Sequence, residues 1–383
     1  MSAAPLDRRI AAVLEHFNLS PLEVWTVSGG FSGARVWRVK TTAEQLVALR
    51  WSAATDSTER ERRESICRWM QFARCEGCHW APQPFKPHDS RPTGSAAHFL
   101  LSQPDGWWQA ETWMPGCPLD TVPSPAQLQQ TLAVLAHLHH TGRCWALQES
   151  PVSRGPAASS LRLATAVSPG LQRRLQLVRE LQSGTLTRLL AAAAQDPDDE
   201  FRQLSQRLEC ELRLRLPPLH QQLEELAPQT FTLQPVLRDL WQPHVLFSGD
   251  HVTGVIDWNA AATDHPAFDY SRLLASWYGQ LAVNLLPLSP VPGNSLADTV
   301  VCHQRFHSAH WTATEQQLLR VCLEASLLLS PVTWLHRRCA KGPATLAIAP
   351  NVLERFRRLV SLARSPNESQ KTSHGERSMS IGR

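Results

Sequence analysis

Two aspartates and a histidine, set apart by short apolar runs, carry the strongest chemical signal in this chain. They lie between Val236 and Leu274. Val245-Leu246-Phe247 and Val252 to Ile256 are apolar runs of strand length, and Gly249-Asp250-His251 between them supplies a turn. A hairpin centred there sets Asp257 opposite His244, with Asp239 on the loop that enters it. An isolated loop aspartate most often serves a turn or a cap. Two carboxylates and an imidazole converging at one end of a ribbon are what divalent-metal binding beside a catalytic base requires.

A second signal is Ser28-Gly29-Gly30-Phe31-Ser32-Gly33, which lies between two strand-like runs. Glycines there let backbone N–H groups approach phosphates, although an ordinary glycine hairpin has the same pattern. A third is Cys75-Glu76-Gly77-Cys78-His79, which fits the C-x-x-C-H pattern of haem attachment. It stands alone, with no second cysteine pair at zinc-site spacing, and chance accounts for it better.

The elements that must hold these residues change character along the chain. Residues 6 to 18 carry Ile10, Val13, Leu14 and Phe17 at helical spacing. Three strand runs follow, VWTVSGG, ARVWRVK and QLVALRW; the third puts Val47, Leu49 and Trp51 on one face and leaves Ala48 and Arg50 on the other. A helix over 57 to 73 and two more strands, HFLLSQ and WQAETWM, complete a five-stranded antiparallel sheet with one crossing helix, ending at Pro115-Gly116. Helices dominate afterwards. Ser124-Pro125 opens one whose leucines share a face until Gly142; others are expected over 170–183, 185–194, 199–215, 218–226, 266–286, 313–329 and 351–364. The polar tail, 365–383, reads as disordered.

The 236–274 stretch resembles the aminoglycoside phosphotransferase and choline kinase superfamily, whose catalytic loop is H-G-D-x-x-x-x-N, followed by a hairpin ending I-D-W or I-D-F and a D-P-x-x-D-L helix start. Here Asp239 matches the catalytic Asp, Val255-Ile256-Asp257-Trp258 the metal-binding strand end, and Asp264-His265-Pro266-Ala267-Phe268-Asp269 the helix start. Leu237-Arg238 replaces His-Gly, and His244 stands where the metal-binding Asn belongs. The resemblance covers roughly residues 20 to 275. It implies an α+β, two-lobed, protein-kinase-like fold with a small antiparallel β-sheet N-lobe (1–116, including the hinge) and a mostly helical C-lobe (117–364).

The resemblance also implies roles. Asp239 would accept the proton of a substrate hydroxyl, and Asp257 with His244 would bind a divalent cation, Mg or Mn, bridging the phosphates of ATP. Gly29, Gly30, Ser32, Gly33 and Arg50 would position those phosphates, with Glu64, or its rival Glu61, as the ion-pair partner of Arg50. Thr112, Trp113 and Met114 would hold adenine along the hinge. Asp269 would brace the catalytic loop rather than touch substrate.

Composition narrows the partners. The chain of 383 residues is 43% hydrophobic and 19% charged, with a net charge of +4 and arginines spread rather than striped, unlike a nucleic-acid binder. The long uncharged run from Arg272 to Asp298 is broken by Pro287, Pro290 and Pro292 and reads as core helix and loop, not a membrane span. Charged residues near the N-terminus and an odd count of nine cysteines fit a cytoplasmic protein with reduced thiols. The expected activity is ATP-dependent phosphorylation of a small hydroxylated molecule. A pseudokinase that binds nucleotide without transfer is the alternative, favoured by the substitutions at 237, 238 and 244. Residues 271–350 hold three acids against six basic residues, the wrong sign for a polycationic aminoglycoside, unless the acidic run Asp196 to Glu200 folds over the site.

Overall fold

A computed structural model describes residues 7–27, 33–53, 57–88, 98–148, 161–284, 311–341 and 350–364. Helix α1 (Arg8–His16) is capped by Asp7, which accepts the Arg9 N–H at 2.9 Å. Strands β1 (Pro21–Val27), β2 (Arg35–Thr41), β3 (Leu46–Ala53), β4 (Leu101–Gln103) and β5 (Gly106–Thr112) form one antiparallel sheet in the order β1-β2-β3-β5-β4. Val24, Val39, Val47, Leu49, Trp108 and Ala110 meet the apolar stripe of α1 in a core of their own. Arg50 consequently points to the opposite face, toward the second lobe.

Helix α2 (Ser57–Cys75) is continuous in sequence with the first lobe, but its buried stripe of Ile66, Trp69, Met70 and Ala73 joins the core of the helical lobe. Trp69 meets Trp258 edge-on at 4.7 Å. The helical lobe begins with α3 (Pro125–Gln148), where Ser124 and Gln127 exchange reciprocal capping bonds of 2.9 and 3.2 Å. The helix runs past Gly142, whose missing side chain lets it approach Trp69 and the Pro235 carbonyl.

The next elements are β6 (Ala164–Val167), α4 (Pro169–Glu180), α5 (Leu186–Ala194), α6 (Asp199–Leu226) and β7 (Thr230–Val236). The hairpin β8 (Val245–Ser248) and β9 (His251–Val255) follows, then β10 (Ala262–Asp264), α7 (Ala267–Tyr278), α8 (Leu281–Asn284), α9 (Ala313–Lys341) and α10 (Pro350–Ala363). Strands β10, β7 and β6 form a three-stranded antiparallel sheet that sequence periodicity did not predict beyond part of β7. Segment Ala313–Cys339 of α9 is long and apolar enough to cross a membrane, but it is mostly buried, packed on α6, α7 and α10.

Two helices run through prolines before which their expected spans end. Helix α6 continues through Pro217 and Pro218 because both prolines lie on its exposed face, so the carbonyls of Arg213 and Leu214, deprived of donors, sit on the solvent side. Helix α9 also passes Pro331, a buried position to which that account does not extend. The expected disorder of 365–383 lies outside the described residues.

Candidate active site

The junction of the lobes is built from three loops and one strand. Asp239 follows β7 on a turn closed by its own N–H on the Leu237 carbonyl at 2.9 Å. Arg238 takes a left-handed backbone, φ 66°, where the resembling family carries glycine. Fully buried Asp269, in the first turn of α7, secures that turn by accepting N–H groups from Leu237 at 2.9 Å and Arg238 at 2.6 Å. His139 of α3 donates to the same carboxylate at 2.9 Å. Asp269 is thus a brace, as expected.

Asp239 is half-exposed and engaged on one oxygen only. Its Oδ1 accepts from Arg272 Nε and Nη2 at 3.0 and 2.7 Å and from the Trp241 indole at 2.6 Å. Oδ2 makes no hydrogen bond among the described residues. Burial alone would raise this carboxyl, but Arg272, His244 and the indole outweigh it and hold it below the usual 3.8. Arg272 stacks on Trp241 at 4.2 Å, with Arg355 on the same ring at 5.6 Å.

The hairpin register differs by one from expectation. Val245 pairs with Val255, so Ile256, whose N–H donates to the His244 carbonyl at 2.9 Å, stands opposite His244. Asp257 still reaches the histidine because it too adopts a left-handed backbone, φ 62°, and its Oδ2 lies 3.8 Å from His244 Nε2. His244 donates from Nδ1 to the Asp239 carbonyl at 2.8 Å, which fixes the tautomer and leaves the Nε2 lone pair facing Asp257. Burial dominates its titration and holds the imidazole below 6.5 despite Asp257 and Asp239, so it is neutral at physiological pH. A neutral nitrogen and a carboxylate facing each other suit a divalent cation. Among the described residues no third His, Cys, Asp or Glu joins them, so phosphate oxygens and water would complete the coordination shell.

Arg50 lies 3.6 Å from Asp257 Oδ1, which also accepts from Asn259 at 2.8 Å. Glu111 faces the pair: burial raises its carboxyl, Arg50 pulls it down and Asp257 pushes it up. The expected Arg50–Glu64 ion pair is not formed. Glu64 is buried and accepts the N–H groups of Phe99 and Leu100 at 2.8 and 3.1 Å, because the chain after α2 needs an acceptor there; Glu61 is exposed. The α2 residue that does reach the site is Arg62. Clamped by Glu59, it donates to the carbonyls of Asn259 and Ala261 at 2.6 and 3.1 Å.

Along the hinge, the Thr112 and Trp113 N–H groups donate to the Gln83 and Leu46 carbonyls at 2.9 and 3.0 Å. The N–H of buried Met114 has no such partner among the described residues. Gly29, Gly30 and Ser32 lie outside the described residues; Gly33, φ 74°, has open space where a side chain would project. The C-x-x-C-H motif divides: Cys75 is exposed, whereas the Cys78 thiol is sealed against Thr141 and pushed up to about 11 by burial. That thiol is not accessible for haem attachment.

Arg62, Arg238, Trp241 and Arg272 were not foreseen as site residues. Two had a legible signal: Arg238 replaces the motif's glycine directly before Asp239, and Arg272 lies three residues after Asp269 and therefore on the same helical face.

A small antiparallel sheet lobe over a helical lobe, with a braced aspartate turn and an aspartate-ended hairpin at their junction, defines a two-lobed, kinase-like α+β protein. The chain belongs to the phosphotransferase enzyme family (APH), whose family model matches residues 24–287. No curated protein sequence is significantly similar to it. Solved structures share the fold at low identity. An aminoglycoside phosphotransferase from Alicyclobacillus acidocaldarius is 15% identical over 98% of both chains, with a TM-score of 0.54. AMP-bound spectinomycin phosphotransferase APH(9)-Ia is 12% identical over 94% of this chain and 98% of its own, at 0.57. Amicoumacin kinase hAmiN, solved with AMP-PNP, Ca2+ and Ami, is 13% identical over 93% of both, at 0.54.

Proposed function

We propose that this protein transfers the γ-phosphoryl group of ATP to a hydroxyl of a small molecule. The observation that carries the reading is the convergence of Asp239, with Oδ2 available, on His244 and Asp257 beside Arg50 at the lobe junction. Asp239 orients the acceptor hydroxyl and takes its proton late, a role compatible with a weak base because the phosphoryl group is largely dissociated before the nucleophile binds it. Asp257 and His244 would hold the cation, which when bound neutralises charge on the phosphates. Arg50 and the loop at 29–33 would position those phosphates, and the hinge at 112–114 would receive adenine. The eight described cysteines are all free, which suits the reducing cytoplasm expected of an ATP-consuming enzyme.

The test is ADP formation from ATP with Mg2+ or Mn2+ and a panel of alcohols, comparing wild type with Asp239→Asn. Transfer should fall at least about 10²-fold in the variant while nucleotide affinity stays unchanged. Equal turnover would remove Asp239 from the mechanism. The pseudokinase reading draws on one observation, the hold of Arg272 and Trp241 on Asp239, and nucleotide binding without acceptor-dependent ADP from any alcohol would favour it.

A further inference from the structure

Beside Asp239 the helical lobe opens into a cavity of about 340 Å³ between α4, α7 and α9. Its walls carry Arg173, Arg174, Arg238 and Arg272 and a single carboxylate, Asp239 itself. Two of the four guanidiniums have carboxylate partners: Arg272 on Asp239, and half-exposed Arg173 at 3.5 Å from Asp264 behind the wall. Arg174 and Arg238 form no ion pair among the described residues. Arg174 has only the Gly170 carbonyl at 3.2 Å and the face of Phe268 at 4.4 Å. Burial and neighbouring guanidiniums both press against the charge of Arg174 and Arg238. Both side chains are partly buried, and the attraction each feels from Asp264, with Asp269 added for Arg238, falls short of an ion pair, so a ligand anion would complete them. The acidic run that might have offset them is engaged elsewhere: Asp196 holds Arg338, Asp199 holds Arg202 and Glu200 holds Arg357.

We infer that the acceptor is an anionic alcohol, a small hydroxylated molecule bearing a phosphate monoester or carboxylate, whose charge is bound by Arg174 and Arg238 while its hydroxyl meets Asp239. This rests on the phosphotransferase reading for the transfer step and on the cavity alone for the anion. Guanidinium forks match phosphate and carboxylate geometry, and this cavity holds a molecule of sugar-phosphate size. Arg238 is the residue that replaces the family's glycine, so the departure places a cation in the Asp239 turn itself: the same residue shapes the turn and lines the cavity. In transfer, the acceptor oxygen bonds to the γ-phosphorus as the bond to the β-phosphate oxygen breaks; the hydroxyl proton passes to Asp239, and ADP leaves with the electron pair.

The test uses the full chain saturated with ADP, so that the nucleotide phosphate site is filled. Calorimetric titration compares glycerol and glucose with glycerate, glycerol 3-phosphate and glucose 6-phosphate, and with kanamycin. At least one anion should bind about tenfold or more tightly than its neutral counterpart. Arg174→Gln and Arg238→Gln should each remove most of that preference, and added salt should weaken it. Arg174→Lys, which keeps the charge but loses the fork, should fall between, and unchanged circular dichroism guards against misfolding. The carboxylate and phosphate arms identify which anion is preferred. No preference for charge, or a preference untouched in both Gln variants, overturns the inference. A parallel ADP-release assay separates the two ideas. Arginine-dependent anion binding without ADP from any acceptor sinks the kinase reading and leaves the anion site; ADP from glycerol or kanamycin with no anion binding does the reverse.

Discussion

Replacing Asp269 by Asn keeps its shape and removes its ability to accept on both oxygens. Leu237 and Arg238 donate to different oxygens of that carboxylate, and His139 shares the first. An amide has one acceptor, so its NH₂ must face one of the two backbone donors. One charge-assisted bond is lost, about 1.5–3 kcal/mol, a buried N–H is left unsatisfied at about 1–3 kcal/mol, and the remaining bonds become neutral ones. The total is roughly 3–5 kcal/mol. The left-handed backbone of Arg238 costs a further ~1–2 kcal/mol and is held in place by the Asp269 bond. The loop therefore relaxes before the lobe unfolds. A catalytic carboxylate displaced by about 1 Å lowers kcat about 10²-fold. The nucleotide contacts assigned to the first lobe are untouched, so the metal-independent part of ATP affinity should hold. Steady-state ADP release, calorimetry with a non-hydrolysable ATP analogue and a thermal melt, all below the onset of unfolding, make the measurement. A variant with kcat within about twofold of wild type would refute the reasoning, because the brace would then hold nothing that matters.

Asp257→Ala should abolish the metal-dependent part of ATP affinity; equal affinity with and without metal in the wild type would contradict it. His244→Asn should shift preference from Mn2+ toward Mg2+ and remove an acid limb from the activity profile. That limb should lie below 6.5, since burial depresses the imidazole, and Asp239, held under 3.8, titrates too low to produce it. Glu315 is held down at about 2, first by His265 and then by Thr312. Its folded value is below its unfolded 4.5, so its contribution to stability is present above 4.5 and lost as pH falls toward 2. Glu315→Gln should flatten the drop in urea midpoint between about pH 5 and about pH 3, modestly, because the pair is partly solvated.

The first lobe was legible because its third strand alternates: Val47 and Leu49 are fully buried on the face that their spacing assigned. The Asp239 turn and the hairpin were legible because their residue types are tied to fixed intervals. What escaped has physical causes. The proline pair in α6 breaks a helix only when the freed carbonyls are denied water, and burial is not written in local sequence. Strands β6 and β10 are four and three residues long, too short for a period to register. Glu64 and Arg62 lie two positions apart on one helix, and which of them reaches the site depends on how α2 is rotated against the helical lobe. The one-residue error in the hairpin comes from its tight turn: Ser248 pairs with His251 across Gly249-Asp250, two short of the expected register, and the bulge beyond Phe247, where Thr253 is passed over, restores one.

The grip of Arg62 on the carbonyls of Asn259 and Ala261, with the Trp69–Trp258 contact beside it, ties α2 to the segment that follows Asp257. Because Ile66, Trp69 and Met70 of the same helix are buried in the helical lobe, the support for the left-handed Asp257 comes from a helix that the sheet lobe contributes in sequence only. Arg62→Ala should loosen that segment and weaken metal-dependent binding while the first-lobe sheet is unaffected.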